Sequence, residues 1–158
     1  CLVLAYVYCT LWYFFSEDYV LSVPFHGVFG FLNLFGMAKP AYRAFQLLHR
    51  LGAEILDVQG THSTADAWVI RKGSTATVLI TNLAMPRHPI QTALLHVRLS
   101  GAPAPLRAWI VRIDEDHANP RRLWQSMSEP EYRSPPQVQQ LETTYTLKKN
   151  SQHLAYAK

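Results

Sequence analysis

The sequence predicts a mainly β chain, most of it an antiparallel β-sandwich with short helices towards its end. Three observations carry this. After Ile55, four segments alternate apolar and polar residues with a period of two. Turns built from Gly, Pro and Ser separate those segments, and no helical period falls between them. Aliphatic and aromatic residues make up 49% of the 158 residues and charged ones 16%, which is globular material with enough chain to bury a core.

The chain opens on "CLVLAYVYCTLWYFF", about fifteen apolar residues before Ser16-Glu17-Asp18. A membrane span needs roughly twenty, and neither a positive leader nor a small-residue cleavage site flanks this run. A buried strand or core segment of a longer protein fits it better, and the first residue is Cys rather than Met. Cys1 and Cys9, the only cysteines, have no histidine nearby and read as two buried thiols. No Asn-x-Ser/Thr sequon occurs.

Next, Gly27, Gly30 and Gly36 punctuate an aromatic-rich loop, and Lys39-Pro40 opens a helix with proline at its first position. Ala41, Ala44, Phe45, Leu48 and Leu51 share one apolar face of that helix over residues 40–51, with Arg43, Gln46 and Arg50 largely opposite. Gly52 reads as its C-terminal stop. The Phe45/Leu48 face is expected to pack on the sandwich or on the apolar N-terminal segment.

In "AWVIRKGSTATVLITNL" two strands flank a turn at Lys72-Gly73-Ser74, with Ala76, Val78 and Ile80 alternating against Thr75, Thr77 and Thr81. "LLHVRL" repeats the alternation, placing Leu95, Val97 and Leu99 inward and His96 and Arg98 outward. "PLRAWIVRID" supplies a further strand. The sandwich is expected over residues 55–147. Asn119-Pro120 starts a short helix through Leu123 and Trp124. Ser134-Pro135-Pro136-Gln137 has the form of a capping box and starts another through Val138 and Leu141. "KKNSQHLAYAK" carries little pattern.

The chain has a net charge of +4, with no run of five or more basic residues, so no nucleic-acid surface is expected. The densest charge lies instead in "RIDEDHANP", where Asp114, Glu115, Asp116 and His117 adjoin. An EF-hand counted from Asp114 would need glycine at its sixth position and glutamate at its twelfth. Asn119 and Gln125 stand there. Zinc would need further His or Cys beside His117. A glycosidase pair must flank one bond from separate elements, whereas adjacent carboxylates on an extended chain point apart. The cluster therefore reads as a turn: Asp114 or Asp116 caps it, and His117 packs or hydrogen-bonds locally. No metal and no cofactor are expected. Trp68, Trp109 and Trp124 sit on alternating strands or beside them and read as core, with sugar stacking as the alternative.

Two stretches together resemble one known family. "PFHGVFGFLNLFGMAKPAYRAFQLLHRLG" resembles the end of the catalytic barrel of glycoside hydrolase family 39, which holds β-xylosidases and α-L-iduronidase. "RIDEDHANPRRLWQSMSEPEYRSPPQVQQLE" resembles the close of that family's β-sandwich. The likeness covers roughly residues 21–146, on the β-xylosidase side.

It implies that residues 1–53 are the last strand, loop and helix of a TIM-type (β/α)8 barrel and residues 54–158 a β-sandwich accessory domain. It also implies retaining hydrolysis of β-xylosides by two glutamates on earlier barrel strands. Neither glutamate motif is present in this chain. The expectation is a C-terminal fragment, inactive alone, whose partner in the intact protein is a carbohydrate such as a xylo-oligosaccharide. "LWYFFSEDY" is a loose version of the family's last barrel strand and His26 lies in its His-Gly loop, so Glu17, Asp18 and His26 become candidate substrate-binding residues. No catalytic residue is assigned. A solvated turn is the alternative for Glu17 and Asp18. A non-catalytic sandwich that binds sugar or stabilises a partner domain is the alternative for the whole.

Overall fold

A computed structural model describes residues 25, 30–33, 35–84, 88–101, 107–130 and 133–152. The N-terminal apolar run with Cys1, Cys9, Glu17 and Asp18, and also His26, lie outside the described residues. The elements in order are α1 (Pro40–Leu48), β1 (Glu54–Leu56), β2 (Ala65–Lys72), β3 (Thr75–Asn82), β4 (Ala108–Ile110), α2 (Arg121–Ser126), α3 (Pro135–Thr144) and β5 (Asn150–Gln152). Every described strand pair is antiparallel. The chain divides into two compact units, one of residues 1–46 with 104–158 and one of residues 47–103.

In the 47–103 unit β1, β2 and β3 form one sheet in that order. The β2–β3 hairpin turns through Gly73 and Ser74, with Lys72 opposite Thr75. Gly73 has φ +59°, which a side chain resists and a first turn position in a two-residue hairpin needs. β1 lies on the other side of β2, with Glu54 opposite Arg71 and Ile55 opposite Ile70. The two guanidinium nitrogens Nε and Nη2 of Arg71 grip the two Glu54 oxygens, the first at 2.7 Å. That grip holds the Glu54 carboxyl below its usual range, its hydrogen bonds from Arg71 being the first cause.

Gly52 has another role than the one expected. The helix ends at Leu48, and a Cβ on Gly52 would come within 2.0 Å of the Arg71 carbonyl oxygen. The residue is glycine because strand β2 passes against its backbone.

The segment "LLHVRL" departs from expectation. Residues 89–100 form no strand, and Leu94, Val97 and Leu99 are 85%, 52% and 47% exposed. Alternation gives a strand two faces but supplies no ladder. Among the described residues none pairs with this stretch, and its apolar side chains stay largely exposed.

The unit of residues 1–46 and 104–158 holds the buried cluster: Phe25, Met37, Trp124 and Leu141, with Leu123, Val138 and Tyr145 packed against it. Both short helices form where expected. Pro120 stands at the N-cap of α2, and the Asn119 side-chain oxygen accepts from Arg121 N at 3.1 Å. At α3, Gln137 Oε1 reaches back to Ser134, accepting from its backbone N at 2.9 Å and its hydroxyl at 3.1 Å. Helix α2 closes through two left-handed residues, Ser128 and Glu129, whose N–H groups reach the carbonyls of Gln125 and Trp124.

"PLRAWIVRID" yields only three strand residues, and they pair with β5, which lies in the C-terminal stretch that carried little pattern. Asn150-Ser151-Gln152 has no β propensity of its own, so the pairing comes from tertiary contact. The Phe45/Leu48 face of α1 also departs from expectation: these residues are 58% and 44% exposed, although the Phe45 ring meets Phe31 edge-on at 5.0 Å. The Arg43 side makes the polar contacts instead. Its Nε donates to the Tyr145 carbonyl at 2.8 Å and its guanidinium lies 5.3 Å from the Tyr145 ring.

Candidate functional site

Glu17, Asp18 and His26 lie outside the described residues, and their neighbour Phe25 is the first one described. Ahead of α1, the described residues from Leu32 to Ala38 belong to a tight loop anchored by one polar side chain. Asn33 is 1% exposed, and its Oδ1 accepts from the backbone N–H of Phe35 at 3.0 Å and of Met37 at 2.9 Å. The Leu32–Ala38 bridge closes the loop, and Gly36 turns it at φ +73°. Buried polar groups tie such a loop to one shape, because leaving them unpaired costs more than the bonds return. The loop therefore delivers Lys39-Pro40 to α1 in a fixed direction.

The acidic cluster is a self-contained turn. Asp114 Oδ1 accepts from the backbone N–H of Asp116 and of His117, each at 2.9 Å, and lies 2.7 Å from His117 Nδ1. The Asp114 N–H donates in turn to the His117 carbonyl at 3.1 Å. Burial pushes the Asp114 carboxyl up, but the hydrogen bonds from His117 and from the two backbone N–H groups outweigh it, and the net direction is down. Arg122 then reaches both remaining carboxylates, Glu115 at 2.8 Å and Asp116 more closely still. Each acid in the cluster thus has a partner, with Arg122 shared between Glu115 and Asp116. Ala118, buried and left-handed at φ +53°, leads out of the turn. The Asp114 cap and the local role of His117 are as the sequence implied. Among the described residues no group of three His, Cys, Asp or Glu is placed to hold a metal ion.

Of the three tryptophans read as core, only Trp124 is. It is 4% exposed, packs its ring against Phe25 at 5.4 Å, and donates from Nε1 to the Pro130 carbonyl at 3.2 Å. Trp68 and Trp109 are 45% and 55% exposed. Trp109 carries the Lys149 ammonium 5.9 Å from its ring centroid.

Trp68 lies in the hairpin unit beside two adjoining open depressions. One, of about 320 Å³, runs over His62, Thr64, Pro89 and Gln91. The other, of about 380 Å³, is lined by His62, Asp66, Trp68, Thr81 and Leu83. His62 Nδ1 accepts from the N–H groups of Thr64 at 3.2 Å and Ala65 at 3.1 Å, so a neutral ring carries its proton on Nε2. An indole face with hydroxyl, carboxylate and imidazole groups around it suits a sugar ring. Sequence reasoning weighed Trp68 but missed this grouping. The polar run "GTHSTAD", which leads into the tryptophan strand and supplies its first two residues, was the signal that could have found it.

Comparison with known proteins assigns the chain more firmly than its sites do. Residues 1–155 match the family described as Glycosyl hydrolases family 39. Over 146 residues the chain is 36% identical to a protein named beta-xylosidase from Caldicellulosiruptor saccharolyticus, covering 91% of this chain and 30% of that protein. The fold matches a GH39 enzyme from Xanthomonas axonopodis pv. citri with a TM-score of 0.53 at 21% identity, over 82% of this chain and 29% of that one. The chain spans less than a third of the length of either.

Proposed function

The chain belongs to glycosyl hydrolase family 39, and from that premise we propose that it is the C-terminal part of a glycosidase acting on β-xylosides. The observation that carries this is the 36% identity to a beta-xylosidase, sustained over 91% of the chain rather than over one motif. On this reading residues 1–53 complete a (β/α)8 barrel and residues 54–158 form a β-sandwich beside it. Retaining cleavage uses one carboxylic acid to protonate the leaving oxygen and one carboxylate to form the glycosyl-enzyme, about 5 Å apart on rigid elements. Both would come from barrel strands that precede this chain. Glu17, Asp18 and His26 would stand at the substrate end of the last strand and hydrogen-bond the sugar rather than react with it.

On its own the chain should be inert, because loss of one member of such a pair already costs several orders of magnitude in rate. Purified chain assayed with a chromogenic aryl β-xyloside should match the no-enzyme blank, while a longer chain bearing the upstream barrel should turn over. Turnover by the short chain that disappears on Glu17→Gln would refute the assignment of roles.

The exposed Trp68 favours a second reading, a non-catalytic sandwich that binds carbohydrate. Titration with xylobiose separates the two. Saturable binding lost on Trp68→Ala supports the module; no binding leaves the hydrolase fragment.

A further inference from the structure

In the 47–103 unit the two open depressions beside Trp68 share one wall, the turn at His62-Ser63-Thr64. One runs from that turn over the strand face of Asp66, Trp68 and Thr81. The other runs over Gln91 and Thr92. Asp66 and Trp68 share one face of β2, two residues apart, and Thr81 stands opposite Asp66 on β3. Both walls are tied down from behind. His62 Nδ1 takes the N–H groups of Thr64 and Ala65, so Nε2–H is the donor that its neutral ring presents. The Asn82 side-chain nitrogen donates to the Gln91 carbonyl at 3.0 Å and holds the second wall to the end of β3. A surface fixed in advance costs less entropy to occupy.

The lining selects the ligand. Among the described residues no Lys or Arg lines either depression, so an acidic sugar or a phosphate would find no cation there. The Asp66 carboxylate, which forms no ion pair with any described residue, has two oxygens to accept a vicinal pair of hydroxyls. The indole offers its face to the apolar side of a pyranose ring. Volumes of about 320 Å³ and 380 Å³ lie at the small end of ligand pockets, about 300–1,000 Å³, and suit one ring each.

Resting on the carbohydrate-binding reading of Trp68, we propose that the two depressions are consecutive subsites for a neutral pyranose chain of the xylo-oligosaccharide class. The first subsite stacks one ring on Trp68 and takes its hydroxyls on Asp66. The second holds the next ring against Gln91 and Thr92. His62, common to both, donates from Nε2 at the junction of the two rings. The site therefore reads two sugar rings and no more.

The test is titration of the whole 158-residue chain, followed by NMR, with xylose, xylobiose, xylotriose and xylotetraose. Xylobiose should bind at least about tenfold more tightly than xylose, and the two longer sugars within about twofold of xylobiose. Trp68→Ala removes binding at every length. Asn82→Asp keeps the shape of the side chain, loses the donor to Gln91, and takes away the gain of xylobiose over xylose. Should Trp68→Ala fail to fold, Asp66→Asn on the exposed strand face serves in its place. It should weaken xylobiose by about fivefold, as exchange of a charged acceptor for a neutral one does. Affinity that is equal for xylose and xylobiose, or that keeps climbing through xylotetraose, overturns the two subsites and leaves the carbohydrate-binding reading standing. Binding untouched by Trp68→Ala and by Asp66→Asn places the sugar elsewhere and overturns the proposal as well. Absence of saturable binding at any length ends both.

Discussion

Asp114 Oδ1 and His117 Nδ1 lie 2.7 Å apart, and the same oxygen takes two backbone N–H groups of the turn between them. One carboxylate oxygen therefore organises the strand-to-helix turn that opens on α2. Because the folded Asp114 pKa is below its unfolded value, its stabilising contribution is present above the ordinary aspartate range and is lost as pH falls through the folded value. Acid titration of the unfolding midpoint should show a loss below about pH 4 that is much smaller in Asp114→Asn. Identical acid limbs in the two proteins would contradict this.

Gly52→Ala should destabilise the hairpin unit by about 1–3 kcal/mol, as overpacking against an immovable neighbour does. The added methyl would meet the Arg71 carbonyl oxygen at 2.0 Å and its carbon at 2.7 Å, both backbone atoms. Chemical denaturation measures it. Were Gly52 only a helix stop, the same change would cost little or even stabilise.

Leu141→Ala should cost about 2–5 kcal/mol, since Leu141 is 0% exposed and sits in the cluster with Trp124 and Phe25. Phe45→Ala on α1 should cost far less, its ring being 58% exposed. Urea midpoints of the two variants give the comparison, and similar losses would mean that Phe45 is covered in solution.

Trp68→Ala should leave the stability of the chain nearly unchanged, within about 1 kcal/mol, because the indole is 45% exposed. A large loss would place Trp68 in a packed interface instead. Intrinsic fluorescence of this variant also reports on the site, since Trp124 stays buried and Trp68 alone changes there.

Much of the architecture was readable where a single residue type dictates local geometry. Pro40 set the start of α1, Gly73 the hairpin turn, and Ser134 with Gln137 the start of α3. The acidic cluster was readable too, as a turn that Asp114 caps and in which His117 bonds locally. The failures share one cause: they concern what lies across from a residue, which local pattern does not contain. "LLHVRL" alternates well and finds no ladder among the described residues, whereas Asn150-Ser151-Gln152 has no strand signature and gains a ladder from Ala108–Ile110. Gly52 was read from the helix before it and answers to the strand beside it. Trp68 and Trp124 look alike in sequence and differ tenfold in exposure, 45% against 4%. The candidate site residues Glu17, Asp18 and His26 came only from family likeness, since they form no motif by themselves, and they lie outside the described residues.

The Glu54–Arg71 pair does more than join two exposed charges. Strand β1 has only three residues, and its apolar pairs, Ile55 with Ile70 and Leu56 with Val69, would tolerate being shifted along β2. A slip by one position would turn every β1 side chain to the opposite face. It would also move Glu54 from Arg71 to Ile70, which cannot pair with it, or to Lys72, whose single ammonium cannot match both oxygens. The ion pair thus acts as a register pin, and a strand too short to find its place by hydrophobic fit finds it by a two-toothed grip.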